Sequence, residues 1–351
     1  MKAMTYHKYG GPEVVALAEV PKPSPKPNEV LIRVLATTVT SGDYRARSLD
    51  MPAGFGLIGR LVFGLTGPRQ PILGTELAGI VEAVGADVIN FHPGDEVIAF
   101  TGGAYGSHAE YRAISEDSTI ALKPGNLSFE EAASLSFGSM TALPFLRDKA
   151  RIKAGDSVLV VGASGAVGTA AVQIARHFGA DVTGVTSTSN VELVAALGAD
   201  RVIDYTKTDF ATTGDTWDII IDTTGTVPFA RCDKSLRAGG RLVAIQGSFA
   251  QTLGIGKPSK ASGKAVIAGY VPARAEDLRY IAKLASTGEL KPVVDRIYRL
   301  EEAVEAHAYV DTGRKRGSVV LTVGASPLET VPGRRAQVST DKRTSPVSAG
   351  A

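Results

Sequence analysis

The sequence predicts an α/β protein in which a β-rich N-terminal region precedes a doubly wound parallel sheet. Three observations predict it. Residues 1–125 carry short apolar runs separated by proline and glycine turns. Residues 126–285 alternate strand and helix patterns. Where that alternation begins, the apolar run Val158-Leu159-Val160-Val161 breaks at Gly162, Gly165 and Gly168 and passes straight into a helical pattern.

The elements follow in order. Pro21, Pro23, Pro25 and Pro27 form a turn region ahead of a strand at 30–36. Strands at 79–84 and 96–100 flank the turn Pro93-Gly94-Asp95. A glycine-rich apolar segment, 54–67, interrupts this β-rich region and holds Phe55, Leu57, Ile58, Leu61, Val62, Phe63 and Leu65. It is expected to be a core helix, the alternative being a lid over an apolar substrate. Ser128, with Glu131 three residues on, caps a helix. After the 162–168 loop, Ala170, Ala171, Val172, Ile174, Ala175 and Phe178 mark the buried face of a helix, with Gln173, Arg176 and His177 on the polar side. A second strand follows at 181–186. Strand, glycine turn and helix together aim free backbone N–H groups and the positive end of the helix at a pyrophosphate. Further buried strands are expected at 199–203, 217–222 and 240–245. Residues 293–323 read as strand, helix, strand and are expected to return to the first domain. Domain boundaries are set at 1–125 plus 286–324 and at 126–285. The Ser-, Thr-, Pro- and Arg-rich segment 325–351 is expected to be a disordered tail.

Composition narrows the function classes. The chain has 351 residues, 44% hydrophobic and 21% charged, with a net charge of +2. Arg334, Arg335, Lys342 and Arg343 against Asp341 place +3 in the last 21 residues, so the rest carries −1. Neither a nucleic acid nor a membrane partner is expected. The single cysteine, Cys232, excludes an internal disulfide and a multi-cysteine zinc site. With no secretory apolar core in its first residues, the chain is expected in the cytoplasm.

These residues resemble the zinc-independent medium-chain dehydrogenases/reductases, near the quinone oxidoreductases. The resemblance is carried by 9–14 (YGGPEV), 71–76 (PILGTE), 92–97 (HPGDEV), the 162–168 loop, 197–200 (LGAD) and 238–241 (AGGR). It spans residues 1 to about 323. It implies a GroES-like catalytic domain around an inserted Rossmann domain, with the active site between them and a homodimer as the assembly. Zinc members of the superfamily hold their metal where this chain has Thr40 and Thr75; hydroxyls are poor zinc ligands, so no zinc is expected. The short-chain dehydrogenases have a similar glycine loop but need a Tyr with Lys four residues later, and none of the tyrosines here has one.

Without a Lewis acid, hydride transfer suits acceptors that are already electron-poor, namely quinones and α,β-unsaturated carbonyls. The resemblance places Asp43, Tyr44, Arg45 and Thr141 near the reacting groups. It places the cofactor on Gly162, Ala163, Ser164, Gly165, Ala166, Val167 and Gly168, on Thr186, Ser187, Thr188 and Ser189 after the second strand, and on Tyr205, Thr224 and Gly247. No carboxylate stands where NAD enzymes grip the ribose hydroxyls, which favours NADPH over NADH. Arg201 and Lys207 are the cations considered for its extra phosphate. At position 318 this chain has Ser where relatives usually have Lys. A reductase is the leading expectation; the alternative is an NADPH-binding sensor or structural protein with little turnover, as lens crystallins of the family show.

Overall fold

A computed structural model describes residues 1–253 and 262–324; the expected tail, 325–351, lies outside the described residues. The chain opens with the antiparallel pair β1 (Lys2–Thr5) and β2 (Ala16–Glu19). Next come β3 (Glu29–Val39), α1 (Ser41–Ser48), α2 (Gly56–Phe63), β4 (Glu76–Val84), β5 (Glu96–Phe100), β6 (Tyr111–Ser115) and β7 (Ile120–Leu122). Helices α3 (Phe129–Ala133) and α4 (Ser136–Pro144) lead into the second sheet. Its course is β8 (Ser157–Val161), α5 (Ala166–His177), β9 (Asp181–Thr186), α6 (Val191–Ala196), β10 (Arg201–Asp204), β11 (Trp217–Asp222), α7 (Phe229–Cys232), β12 (Leu236–Ala244), α8 (Phe249–Thr252), β13 (Ala265–Ile267) and α9 (Ala275–Ser286). The chain then returns through β14 (Val294–Arg299), α10 (Ala303–Asp311) and β15 (Ser318–Thr322).

The second sheet runs β10-β9-β8-β11-β12-β13, with every pairing parallel. In order of appearance that is 3-2-1-4-5-6, the Rossmann arrangement, whose strand order reverses between β8 and β11. Both faces are buried. Val158 and Val160 of β8 pack with Ile219 and Ile221 on one side, while Leu159 and Val161 pack with Ile220 and Leu242 on the other. This is why the run at 158–161 is continuous rather than alternating. The first sheet is built on β3, which pairs with β4, β6 and β15. Strands β14 and β15 join its edge, so the C-terminal chain closes the domain that the N-terminal chain began.

Two expectations are corrected. Segment 54–67 is not core: α2 leaves Leu57, Ile58, Leu61, Val62 and Leu65 exposed. The sheet's own side chains and Leu300, Ala303, Ala306 and Val310 already fill that core, which leaves room inward for little more than Gly59 and Phe63. Gln173, expected on the solvent side of α5, is buried. Its amide accepts from Lys291 N (2.8 Å) and donates to Lys291 O (3.0 Å), stitching the cofactor-domain helix to the returning chain.

A polar knot lies inside the first domain. His108 and His307 are fully buried with rings 5.7 Å apart. His108 Nε2 meets Thr38 O at 2.9 Å, whereas neither ring nitrogen of His307 has a hydrogen-bond partner. Burial, then neighbouring His108 and Arg47, hold His307 well below its ordinary pKa of 6.5. The native state therefore keeps it neutral while the unfolded chain takes up a proton below pH 6.5. Stability from this site is complete above that pH and is lost as pH falls toward the depressed native value. His307→Leu removes the effect without changing side-chain size greatly. In thermal melts from pH 8 to 5, the variant should gain on the wild type by up to about 1.4 kcal/mol per pH unit below 6.5; parallel curves would refute the assignment.

Candidate active site

A cleft of about 900 Å³ lies between the two domains. One wall is made by the carboxyl ends of five neighbouring parallel strands: Tyr205 follows β10, Thr186 ends β9, Gly162 follows β8, Thr223 and Thr224 follow β11, and Gln246 follows β12. The opposite wall comes from α1 (Ser41, Tyr44, Arg45), Phe137 of α4 and the loop after α10.

The glycine loop has the form its sequence implies. Gly162 takes φ +77°, a value that favours glycine. A Cβ on Gly168 would lie 2.1 Å from the Gly162 carbonyl oxygen, so the loop and α5 approach this closely only with glycine there. Gly162, Ser164, Gly165, Ala166 and Val167 line the cleft. Ala163 is buried in the core behind it, and Gly168 works by letting the helix close. Ser164 Oγ accepts from Thr186 Oγ1 (2.9 Å) and Asn190 Nδ2 (3.2 Å), which fixes the end of β9 against the loop. Loop amides and the α5 N-terminus suit a pyrophosphate.

Thr186, Ser187, Ser189 and Tyr205 all reach the cleft, and Asn190 joins them. Thr188 does not; its hydroxyl donates to Asp204 Oδ2 at 2.6 Å. Asp204 is a carboxylate near this loop that counting along the chain overlooks. Hydrogen bonds from Thr188 and then Thr206 hold its pKa down to about 2, and it stays outside the cleft lining. Arg201 and Lys207 also stay outside, bound to Asp215 and Asp204. The cations come instead from Arg314, Lys315 and Arg316 after α10. Lys315 Nζ donates to Gly317 O at 2.7 Å, and burial lowers its pKa to about 8. Arg316 faces Asp295. Among the described residues Arg314 has no carboxylate partner within ion-pair distance.

At the other end, Arg45 Nη2 donates to Gln246 Oε1 at 2.6 Å across the cleft, and Gln246 Nε2 donates to Thr223 O at 3.1 Å. Tyr44 donates its hydroxyl to Asp50, which is the main cause of its raised pKa. Burial lowers the pKa of Arg45. Asp43 and Thr141 are placed differently from expectation. Asp43 is fully buried; its Oδ2 accepts from Thr40 N (2.8 Å) and Thr40 Oγ1 (2.6 Å) and its Oδ1 from Gly74 N (2.7 Å). It is the capping box of α1, a positioning residue. Thr141 bonds back to Phe137 O at 2.7 Å and does not line the cleft. Gly247 also lies off the lining, where its missing Cβ makes room for Ala268.

The zinc positions fail on donor chemistry. Thr40 and Thr75 are buried with hydroxyls 3.3 Å apart, and Thr40 Oγ1 is engaged with Asp43. Neighbouring Glu76 is also committed, accepting from Thr38 Oγ1 and Phe137 N; burial raises its pKa to about 7. This set does not fit zinc.

Comparison with known proteins agrees with the architecture. The chain matches the alcohol dehydrogenase GroES-like domain over residues 26–124 and the zinc-binding dehydrogenase family over 197–321. It is 34% identical to a 2-methylene-furan-3-one reductase of Solanum lycopersicum, covering 92% of this chain and 79% of that protein. It is 32% identical to an NADPH-dependent alkenal/one oxidoreductase of Arabidopsis thaliana, with the same coverage of each. The quinone oxidoreductase of Coxiella burnetii superposes with TM-score 0.80 at 30% identity, covering 92% of this chain and 99% of that one. The fold and the relatives define an oxidoreductase with a GroES-like domain and a Rossmann-like parallel sheet. The chain belongs to the medium-chain dehydrogenase/reductase family, in its quinone oxidoreductase-like branch.

Asp43→Asn would turn an amide toward the Thr40 and Gly74 donors. It should lower stability by about 1–3 kcal/mol in denaturant titration, while kcat per folded molecule holds. A selective loss of kcat at unchanged stability would instead place Asp43 in the chemistry.

Proposed function

We propose that the protein is an NADPH-dependent reductase that passes hydride to quinones or α,β-unsaturated carbonyls and works without zinc. One observation carries the reading: the same cleft holds a pyrophosphate-type glycine loop and a guanidinium–amide pair, Arg45–Gln246, with only hydroxyls at the zinc positions. The relatives' names agree with it.

The glycine loop and the start of α5 would hold the pyrophosphate. Ser187, Ser189, Tyr205 and Thr224 would hold the adenosine end, and Gln246 the nicotinamide end. Arg314, with no ion-pair partner among the described residues, is the clamp for the extra phosphate of NADPH. When bound, the reduced nicotinamide supplies the hydride. Arg45 donates hydrogen bonds to the acceptor oxygen as negative charge develops on it, and Tyr44 joins it by turning its single O–H from Asp50 to that oxygen. The raised pKa of Tyr44 keeps its phenol a donor at neutral pH. Gln246 orients the Arg45 fork from the opposite domain, and the enolate carbon takes its proton from Tyr44 or water. The working form is a cytoplasmic homodimer that does not bind nucleic acid.

Oxidation of reduced nicotinamide is followed by absorbance against a benzoquinone, an alkyl vinyl ketone and a simple aldehyde. Quinone or enone turnover that persists in EDTA, with NADPH preferred over NADH, is expected. Binding without turnover would favour a sensor, and aldehyde turnover lost on chelation would refute the zinc-free reading. Arg45→Gln should lower kcat/KM for the enone by about 10²-fold. Arg314→Ala should raise KM for NADPH and leave that for NADH unchanged.

A further inference from the structure

Helix α2 is amphipathic in the wrong direction for a core element. Gly59 and Phe63, one turn apart, face inward: Gly59 packs on Met51, and Phe63 lies 6.2 Å from the Tyr105 ring. Leu57, Ile58, Leu61 and Val62 share the outward face, and Leu65 continues it beyond the helix. Leu57 is 72% exposed, and Val62 and Leu65 are each 59% exposed. Five large apolar side chains on one outward face of a short element mark an interaction surface.

Basic residues outnumber acidic ones around this face. Residues 51–75 contain Arg60 and Arg69 and no Asp or Glu. Both arginines are exposed and act electrostatically on the Tyr9 hydroxyl, which donates to Gly64 O at 2.8 Å. Exposed His7 and Lys8 run alongside: a Cβ on Gly67 would lie 3.0 Å from the His7 carbonyl oxygen. Two carboxylates lie nearby and keep their charge, Glu13 beside the Gly11 amide (3.1 Å) and Asp50 beside Tyr44, against the cations Arg60, Arg69 and Lys8. An apolar stripe ringed by cations matches the interfacial zone of an anionic bilayer, where acyl chains meet negative headgroups. No helix among the described residues is long and apolar enough to cross a membrane, so the contact is peripheral.

We propose that the outward face of α2, with Arg60, Arg69, His7 and Lys8 around it, docks the protein on anionic lipid surfaces. This goes beyond the composition, whose near-neutral total averages the patch away. It also holds α1, which carries Tyr44 and Arg45, close to a phase in which apolar acceptors dissolve.

The test is co-sedimentation of the full chain with vesicles of phosphatidylcholine, with and without phosphatidylglycerol. Binding should require phosphatidylglycerol and weaken with salt. Leu57→Glu/Leu61→Glu, which keeps the C-terminal cations, should cut partitioning about tenfold or more and leave both the melting temperature and turnover of a water-soluble acceptor unchanged. Arg60→Glu/Arg69→Glu should do the same through charge alone. Failure of the wild type to bind, or equal binding by the leucine variant, overturns the proposal. So does a wild-type oligomer that the leucine variant dissociates, because a second copy would then cover the face.

Discussion

The amide of Gly317 donates to the carbonyl of Ser164 across 2.8 Å, and Gly165 and Gly317 pair as an isolated parallel bridge. Through this contact the returning chain touches the cofactor loop itself. Gly317 takes φ +61°, and a Cβ there would lie 2.1 Å from Val293 O, so glycine is required for the crossing. Two domains joined only by linkers move against each other readily. Here the backbone that leaves α10 is hydrogen-bonded to the backbone that precedes α5, and the cleft lies where they meet. Gln173, reaching from α5 to Lys291, reinforces the same seam.

The catalytic wall depends on a second set of constraints. Helix α1 is short, and its own propensity could not hold Tyr44 and Arg45 in place. It is fastened at its start by Asp43, which ties Thr40 to Gly74, and near its end by Arg47. Arg47 is fully buried; it reaches both oxygens of Asp311 at 2.6 Å and donates to Gly10 O at 3.1 Å. A buried guanidinium is costly unless paired and hydrogen-bonded; these partners serve both terminal nitrogens, while Nε has no hydrogen-bond partner among the described residues. Among the described residues Arg45, two residues earlier, has only the Gln246 amide and the Asp50 carbonyl as hydrogen-bond partners. Two arginines on one turn of helix thus have different uses: one holds the helix, the other faces the cleft.

Where a metal-using relative would gather thiolate and imidazole, this chain gathers threonine hydroxyls and engaged carboxylates. Thr40 links Asp43 and Thr75 in one hydrogen-bonded group that takes in the Gly74 amide, while Glu76 accepts separately from Thr38 and the Phe137 amide. The guanidinium of Arg45 is a positive charge that lines the cleft and meets the Gln246 amide.

Much of the architecture was legible along the chain because its signals are local. Period, turn residues and the glycine spacing are properties of neighbours in sequence. They determine the strands around 158–161 and 217–222, the Ser128 cap and the dinucleotide loop. The cofactor half of the site follows from them, because the ends of parallel strands are where ligands meet such sheets. What the tertiary structure decided are relations between distant segments. The cations that line the cleft beside the glycine loop come from 314–316 rather than from Arg201 or Lys207, because the crossing at Gly317 brings that loop there. Asp43 caps α1 through Thr40, three residues back, but its tie to Gly74 is tertiary, and Arg45 meets Gln246 because two domains close on each other. The apolar run at 54–67 has the composition of a core helix. Only the folded chain shows the core already filled by α10, which leaves that face turned to the solvent.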